Sequence, residues 1–492
     1  MSQPRPFRLY STLTRDVRAF TPVSEGRVGL YVCGMTVYDR CHVGHARAMV
    51  VFDVFVRWLR HNGWAVDFVR NFTDVDDKII KRASEAGEDA MALAERYIAA
   101  FQEDATALGL VSPDHEPRVS TSIDDIVKLI QVLVDKGHAY ASEGSVWFDV
   151  RTFPEYGKLS GQKIDELRSS DADAGKRDGA DFALWKAEKP GEPAWDSPWG
   201  RGRPGWHIEC SAMAWARLGT SFDIHGGGLD LVFPHHENEV AQSECAHGVP
   251  YARYWTHNGL LTMQSGQKMG KSLGNVINVQ DALAAFPAQA LRLYYLQNHY
   301  RSPLPWGPDA LPDALAMVSR LYEAREVAES MEGDEPAAQV AKDLGDDATT
   351  VLQLGLAFRE KFDQALDEDF NTAHAIGHLF ELARAVNRLG NNKKAKKRAR
   401  SVVQPALDAF KLVAHATGLM GQPTNEFLDE VRTKRLAATG LARTDIERLI
   451  ADRDTMRREK RWSDADQLRA DLDQKGIVVM DGANGAEWRV RV

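Results

Sequence analysis

A chain of 492 residues, 44% hydrophobic and 27% charged, has room for about three domains of ordinary soluble type. No apolar run reaches the roughly 18 residues of a membrane span, the N-terminus MSQPRPFRLYSTLTR lacks a signal peptide's apolar centre, and four cysteines are too few for a disulfide framework, so a reduced, cytoplasmic protein is expected. The net charge of −9 excludes coating nucleic acid through bulk charge and leaves only local basic faces.

Arg27–Val32 reads as a strand, His45–His61 as a helix stopped at Gly63, and Ala65–Asn71 as the next strand. The first turn of this βαβ unit carries His42-Val43-Gly44-His45, where doubly wound sheets take nucleotides. Helical stretches are expected around Ile79–Leu108 and Thr121–Lys136, followed by a strand over Val146–Val150. From Gly161 to Gly205 the composition turns to Gly, Pro and charge. Residues 117–203 therefore read as an inserted α/β subdomain behind a first catalytic half, 1–116.

The catalytic domain resumes over 204–302, with a short strand Phe222–His225 entering Gly226-Gly227-Gly228 and helices at His235–Cys245 and Ala282–Tyr300. After Pro303, Met317–Ala328, Ala348–Leu366, Ala373–Leu389 and Gln404–Thr417 carry bundle-like periodicity, which predicts a helical bundle over 303–420. Residues 421–492 read as a small α+β module: RREKRWSDADQLRADL as a helix, then a hairpin turning at Gly482–Gly485. The expected fold class is α/β, a Rossmann-like doubly wound parallel sheet with an inserted subdomain, followed by the bundle and the module.

Two half-sites carry the chemistry. At a strand-to-helix turn, free N–H groups and the helix dipole attract phosphate, and His42 and His45 add hydrogen bonds while Gly44 permits close approach. The same four residues are compatible with a structural turn capped by histidines. Lys268-Met269-Gly270-Lys271-Ser272 places two lysines on a Gly-rich stretch, suited to a triphosphate or to an ordinary basic loop. Both motifs in order on a βαβ scaffold point to ATP.

The second half-site begins at Cys33. Cys210 lies in GWHIECSAM, and His235 and Glu239 in PHHENE stand four apart, on one helical face. Together they form a set of two sulfurs, one nitrogen and one oxygen that favours zinc. The local alternatives are a His236–Glu237 pair, or scattered Cys and His packed without a metal. Cys41 and Cys245 read as packing residues.

HVGH and KMGKS resemble the HIGH and KMSKS motifs of class I aminoacyl-tRNA synthetases, with Gly270 where that family usually has Ser. YVCGMTVYD, RNFTDVDDK, GRPGWHIECSAM, FDIHGGGLDL and FPHHENE further resemble the cysteinyl-tRNA synthetase family, densely in the catalytic half and more loosely beyond. The resemblance implies one zinc ion on Cys33, Cys210, His235 and Glu239, binding the thiol of substrate L-cysteine. It places Thr73, Trp206, His225 and Asp230 around that substrate. It gives ATP, with Mg²⁺, to His42, Gly44, His45, Lys268 and Lys271, and implies tRNA(Cys) as partner of a monomeric enzyme.

The resemblance also gives the bundle and tail to tRNA, with Trp462, Trp488, Arg489 and Arg491 open to two readings, RNA contacts or ordinary packing and surface charge. The rival within the same chemistry is a ligase that joins cysteine to an amino-sugar acceptor. The long extension after Pro303 argues against it. Between Glu381 and Asp408 no acidic residue occurs, while Arg384, Arg388, Lys393, Lys394, Lys396, Lys397, Arg398 and Arg400 gather. An isolated basic run of this kind reads first as a solvated helix surface, and charge alone leaves open whether it is a local basic face for nucleic acid.

Overall fold

Two short strands, β1 (Arg8–Ser11) and β2 (Asp16–Ala19), pair antiparallel at the start of the chain. The apolar strand β3 (Arg27–Val32) then leads through the HVGH turn into α1 (Val43–His61) and on to β4 (Ala65–Arg70), parallel to β3 in the register Arg27↔Ala65 to Val32↔Arg70. Residues 4–166, 175–263, 276–439, 441–482 and 485–490 are described by this computed structural model, and they fall into two units. The first comprises residues 1–279, 298–305 and 364–372, and the second comprises 280–297, 306–363 and 373–492.

In the first unit, α2 (Asp77–Ala86) and α3 (Ala90–Ala107) follow β4, and α4 (Ile123–Asp135) opens the inserted segment. Strands β5 (Ala139–Ser142), β6 (Ser145–Phe148), β7 (Phe182–Ala187) and β8 (Gly202–Pro204) then build an antiparallel sheet in the order β5-β6-β7-β8. Helix α5 (Trp206–Leu218), strand β9 (Phe222–Gly228), helix α6 (Glu237–His247) and strand β10 (Ala252–Asn258) return the chain to the main sheet. Its order is β10-β9-β3-β4, and every pairing is parallel.

Strands buried on both faces need continuous apolar sequence, and this sheet has it. Leu30, Tyr31 and Val32 in β3 are buried, as are Phe52, Phe55 and Trp58 of α1, each stabilising the fold by roughly 1.5–3 kcal/mol. Gly226 is fixed by this packing: a Cβ there would stand 2.4 Å from the Phe52 ring.

The second unit is helical: α7 (Val279–Ala285) leads in, then α8 (Ala288–Leu296), α9 (Ala310–Glu329), α10 (Ala337–Leu344), α11 (Asp346–Asp367), α12 (Thr372–Gly390), α13 (Lys393–Lys396) and α14 (Arg400–Thr417). Helices α15 (Thr424–Thr439), α16 (Arg443–Arg458) and α17 (Trp462–Gln474) precede an antiparallel hairpin, Ile477–Gly482 with Gly485–Val490. Residues 483–484, within its expected turn, lie outside the described residues. No described helix is long and apolar enough to cross a membrane.

Several expectations need correction. The single helix Ala282–Tyr300 is two, because Pro287 disfavours helical backbone at Phe286 and sits as the cap of α8. The expected helix at His235 starts only at Glu237, after a turn over Val232–His236 that is kinked by extended backbone at Phe233, φ −138° and ψ 134°. RREKRWSDADQLRADL is not one helix: Lys460 takes a left-handed φ of 63° between α16 and α17. Helices α10, α15 and α16 escaped the periodicity reading: α10 has eight residues, and α16 turns Arg453 inward beside Ile446 and Ile450.

Candidate active site

The site forms at the carboxyl ends of the parallel strands, where α/β sheets bind ligands. Cys33 follows β3, His225 lies in β9, Trp255 and His257 lie in β10, and Asn71 and Thr73 follow β4. Tyr31, His225 and Trp255 occupy the same register across three strands, and the His225 ring stacks on Trp255 with centroids 4.3 Å apart.

Donor atoms of Cys33, Cys210, His235 and Glu239 all lie within 4.8 Å of one another, as do those of Cys33, His225, His236 and Glu239. Cys33 Sγ is 3.7 Å from Cys210 Sγ and 3.5 Å from Glu239 Oε1, and His235 Nε2 is 3.0 Å from that same oxygen. Two sulfurs each about 2.3 Å from a tetrahedral zinc stand about 3.8 Å apart, so the first group fits such an ion. Cys210 sits in the second turn of α5, His235 in the kinked turn that precedes α6 and Glu239 in the first turn of α6.

Charge favours the deprotonated form at Cys210 and Glu239 and the protonated form at Cys33 and His235, so a metal taken up here would displace protons from the second pair. The hydrogen bond with Cys33 holds the Cys210 thiol down to about 6, against the effect of burial. Burial pushes the Cys33 thiol up, reinforced by the Cys210 sulfur. Burial would raise the Glu239 carboxyl, but His225 and His235 outweigh it and hold it at about 2. Burial likewise opposes a charge on His235, yet Glu239 and Cys210 lift it to about 10.

A second layer positions these donors. His225 Nε2 lies 2.8 Å from Glu239 Oε2, and the Tyr251 hydroxyl donates to that oxygen at 3.3 Å. His207 Nδ1 lies 3.0 Å from His235 Nδ1, while Trp206 stacks on the His235 ring at 4.2 Å. From Cys33, a chain runs through His236 Nε2 at 3.3 Å and His257 at 2.7 Å to Thr12 Oγ1 at 2.7 Å. Orienting groups of this kind fix ligand geometry. Glu237 does not join His236: its carboxylate accepts from the Gly157 and Ser160 backbone at 2.9 and 2.7 Å and pins the inserted segment.

Thr73 is buried and donates to Glu209 Oε2 at 3.1 Å, and Asp230 is exposed beside Gly228. Asn71, His207, Glu209, Tyr251 and His257 went unread in the sequence, and His236 was read only as a partner of Glu237. The available signal for His257 and Asn71 was position, since both end strands of the parallel sheet.

His42 is the N-cap of α1. Its ring accepts from the Gly44 and His45 backbone at 3.1 and 3.3 Å, and His45 Nδ1 accepts from the His42 N–H at 3.5 Å, a reciprocal capping box. The two rings stack at 3.6 Å. Gly44 has a reason inside the chain: a Cβ would meet His42 Cε1 at 2.8 Å. Gln264–Asn275, with Lys268, Gly270 and Lys271, lies outside the described residues. Its C-terminal flank pairs with the HVGH turn: Val43 N–H donates to Ile277 and Val279 N–H to Cys41, both at 2.9 Å.

Among the other candidates, Trp488 is buried in the core of the C-terminal module and Arg489 is paired with Glu323 at 2.9 Å and with Glu326. Packing and ion pairing account for both. Trp462 is 56% exposed, and Arg491 lies outside the described residues. Cys41 and Cys245 are buried.

Residues 19–316 match the model of the class I (C) tRNA synthetase catalytic domain, 361–414 that of the DALR domain, and 442–489 that of the cysteinyl-tRNA ligase anticodon binding domain. The chain belongs to the cysteine–tRNA ligase family. The cysteine–tRNA ligases of Alkalilimnicola ehrlichii and Syntrophotalea carbinolica are 48% and 47% identical to it, each over 98% of this chain and 99% of the relative. The methionyl-tRNA synthetase of Mycobacterium tuberculosis bound by methionyl-adenylate shares the fold at a TM-score of 0.59 and 15% identity, covering 85% of this chain and 95% of its own. Membership in the family and the α/β fold thus agree with what the motifs imply.

Proposed function

We propose that the chain joins L-cysteine to tRNA(Cys) in two steps. The cysteine carboxylate attacks the α-phosphorus of ATP, giving cysteinyl-adenylate and pyrophosphate. A hydroxyl of the terminal adenosine of the tRNA then attacks the activated carbonyl, and AMP leaves. The observation that carries this reading is the convergence of Cys33, Cys210, His235 and Glu239 at the strand ends, in a chain so similar to cysteine–tRNA ligases.

Zinc held by those four residues would supply a thiol-preferring Lewis acid. The residues of the chain do the rest. Cys33, Cys210, His235 and Glu239 select sulfur over oxygen, where a plain apolar pocket separates such analogues only by about 10–200-fold. Thr73, Trp206, His225 and Asp230 shape the cysteine pocket. His42 and His45, at the start of α1, take the ATP phosphates with Gly44 between them. Lys268 and Lys271 neutralise the departing pyrophosphate, with Mg²⁺ accompanying ATP. The anchoring of Ile277–Val279 against Cys41–Val43 supports a joint role for the two motifs. The match of 442–489 to an anticodon binding domain favours tRNA over an amino-sugar acceptor.

The test is amino-acid-dependent ATP–pyrophosphate exchange together with tRNA charging and metal content. Exchange driven by cysteine and not by serine, with zinc bound, is expected. Equal exchange with serine would remove the metal-selection reading, and exchange without charging of tRNA(Cys) would point to a different acceptor.

A further inference from the structure

The second unit carries a positive knob that the activation chemistry does not use. Lys393, Lys394, Lys396 and Lys397 lie within about one helical turn, at α13 and its C-cap, and all four side chains are exposed. None has an acidic partner within ion-pair distance among the described residues. Elsewhere lysines do pair: Lys128 with Asp125, Lys158 with Glu155, Lys186 with Asp77 and Lys434 with Glu430. Like charges three and four residues apart repel and destabilise a helical turn. Among the described residues no carboxylate pairs with these lysines to offset that cost.

The turn is held firmly nonetheless. Asn392 caps it, accepting from the Lys394 N–H at 2.9 Å, and Ala395 and Ala399 are fully buried beneath it. The Glu332 N–H donates to the Lys396 carbonyl at 2.9 Å and the Arg400 N–H to the Glu332 carbonyl at 3.0 Å. Arg398 is spent internally, bidentate on Glu335 at 2.6 Å for each bond and 2.9 Å from Asp343. The arginine anchors the turn, and the lysines face water on a rigid base.

We propose that Lys393, Lys394, Lys396 and Lys397 form a contact for the phosphate backbone of RNA. This rests on the reading of the chain as a tRNA ligase, which supplies the polyanion. Lysines give point charges, suited to phosphate rather than to base edges, and the Arg398 fork beside them is already engaged by Glu335 and Asp343. In a chain of net charge −9, such a patch also orients an approaching polyanion.

The test uses the full-length chain with all four lysines changed to Gln, beside a control with all four changed to Arg, and a transcript of tRNA(Cys). The Gln variant should raise the KM for tRNA about tenfold near physiological salt and flatten the slope of log affinity against log salt by about two to three. Cysteine-dependent pyrophosphate exchange should stay unchanged, and the Arg control should charge tRNA as the parent does. An unchanged KM and slope in the Gln variant, with exchange and charging intact in the parent, would overturn this proposal alone. A parent that exchanges pyrophosphate but charges no tRNA would overturn both it and the ligase reading. Binding of the parent to phosphatidylserine vesicles, lost in the Gln variant while its tRNA KM stays fixed, would also overturn it in favour of a membrane surface.

Discussion

At the residue scale the site is a problem of placing donors. Cys210→Ser keeps the shape but replaces a sulfur whose ordinary role is to bind soft metal. Metal content should fall well below one per chain, and the KM for cysteine should rise by at least about tenfold, read by elemental analysis and pyrophosphate exchange. The four donors were legible because the chain has only four cysteines, two of them in motif-like contexts, and because His235 and Glu239 stand four apart. Of the layer behind them, His225 and Trp206 were reached through the resemblance, whereas His207, Tyr251 and His257 were not read. His236 stands beside His235 in the sequence, yet it turns toward Cys33 and His257, and only the strand-end geometry shows that. Asp104 offers a test away from the site. It is 3% exposed near the C-terminal end of α3, one carboxylate oxygen has no hydrogen-bond partner among the described residues, and burial lifts its carboxyl to about 6 despite Arg40. Since its folded value exceeds the unfolded 3.8, it costs stability progressively as pH rises from about 4 to about 6. Asp104→Asn should raise the thermal midpoint by about 2 °C above pH 6 and leave it unchanged below pH 4, measured by calorimetry across that range.

Elements carry two meanings at once where α1 begins. The capping reading and the phosphate reading of HVGH were rivals in the sequence, and the cap is present in full. The rivals separate by substitution. His42→Asn keeps an N-cap acceptor, so stability should hold within about 0.5 kcal/mol while the rate of cysteine activation falls at least tenfold. His42→Ala should lose the cap as well, costing about 1 kcal/mol in denaturant unfolding. Equal activation rates in His42→Asn and the parent would leave the histidine a cap only. Element boundaries were legible where a proline, a glycine or a strong period marks them, as at His61 and Val32. They were missed where tertiary packing decides: α16 buries Arg453 through its pair with Asp481 at 2.8 Å, which no apolar stripe announces.

Over the whole molecule, activation chemistry and RNA contact draw on different cores. The main-sheet motifs lie in the first unit, whereas the C-terminal module has a hydrophobic cluster of its own, with Ile446, Ile450, Leu472, Ile477, Val479 and Trp488. The sequence indicated this division through composition, since dense motifs end near Pro303. It could not show that Trp488 is core, because an aromatic in a short basic strand reads equally as a stacking surface. Arg432 over its ring at 4.9 Å and its burial decide the matter. Trp488→Ala should therefore cost about 3–5 kcal/mol, more than so small a cluster can lose while staying folded. Charging of tRNA should fall by more than about tenfold while cysteine-dependent pyrophosphate exchange stays within about twofold, because the catalytic core does not draw on that cluster. If exchange and charging fell together, the module's core would have to support the catalytic unit, and the two functions would not be energetically separate.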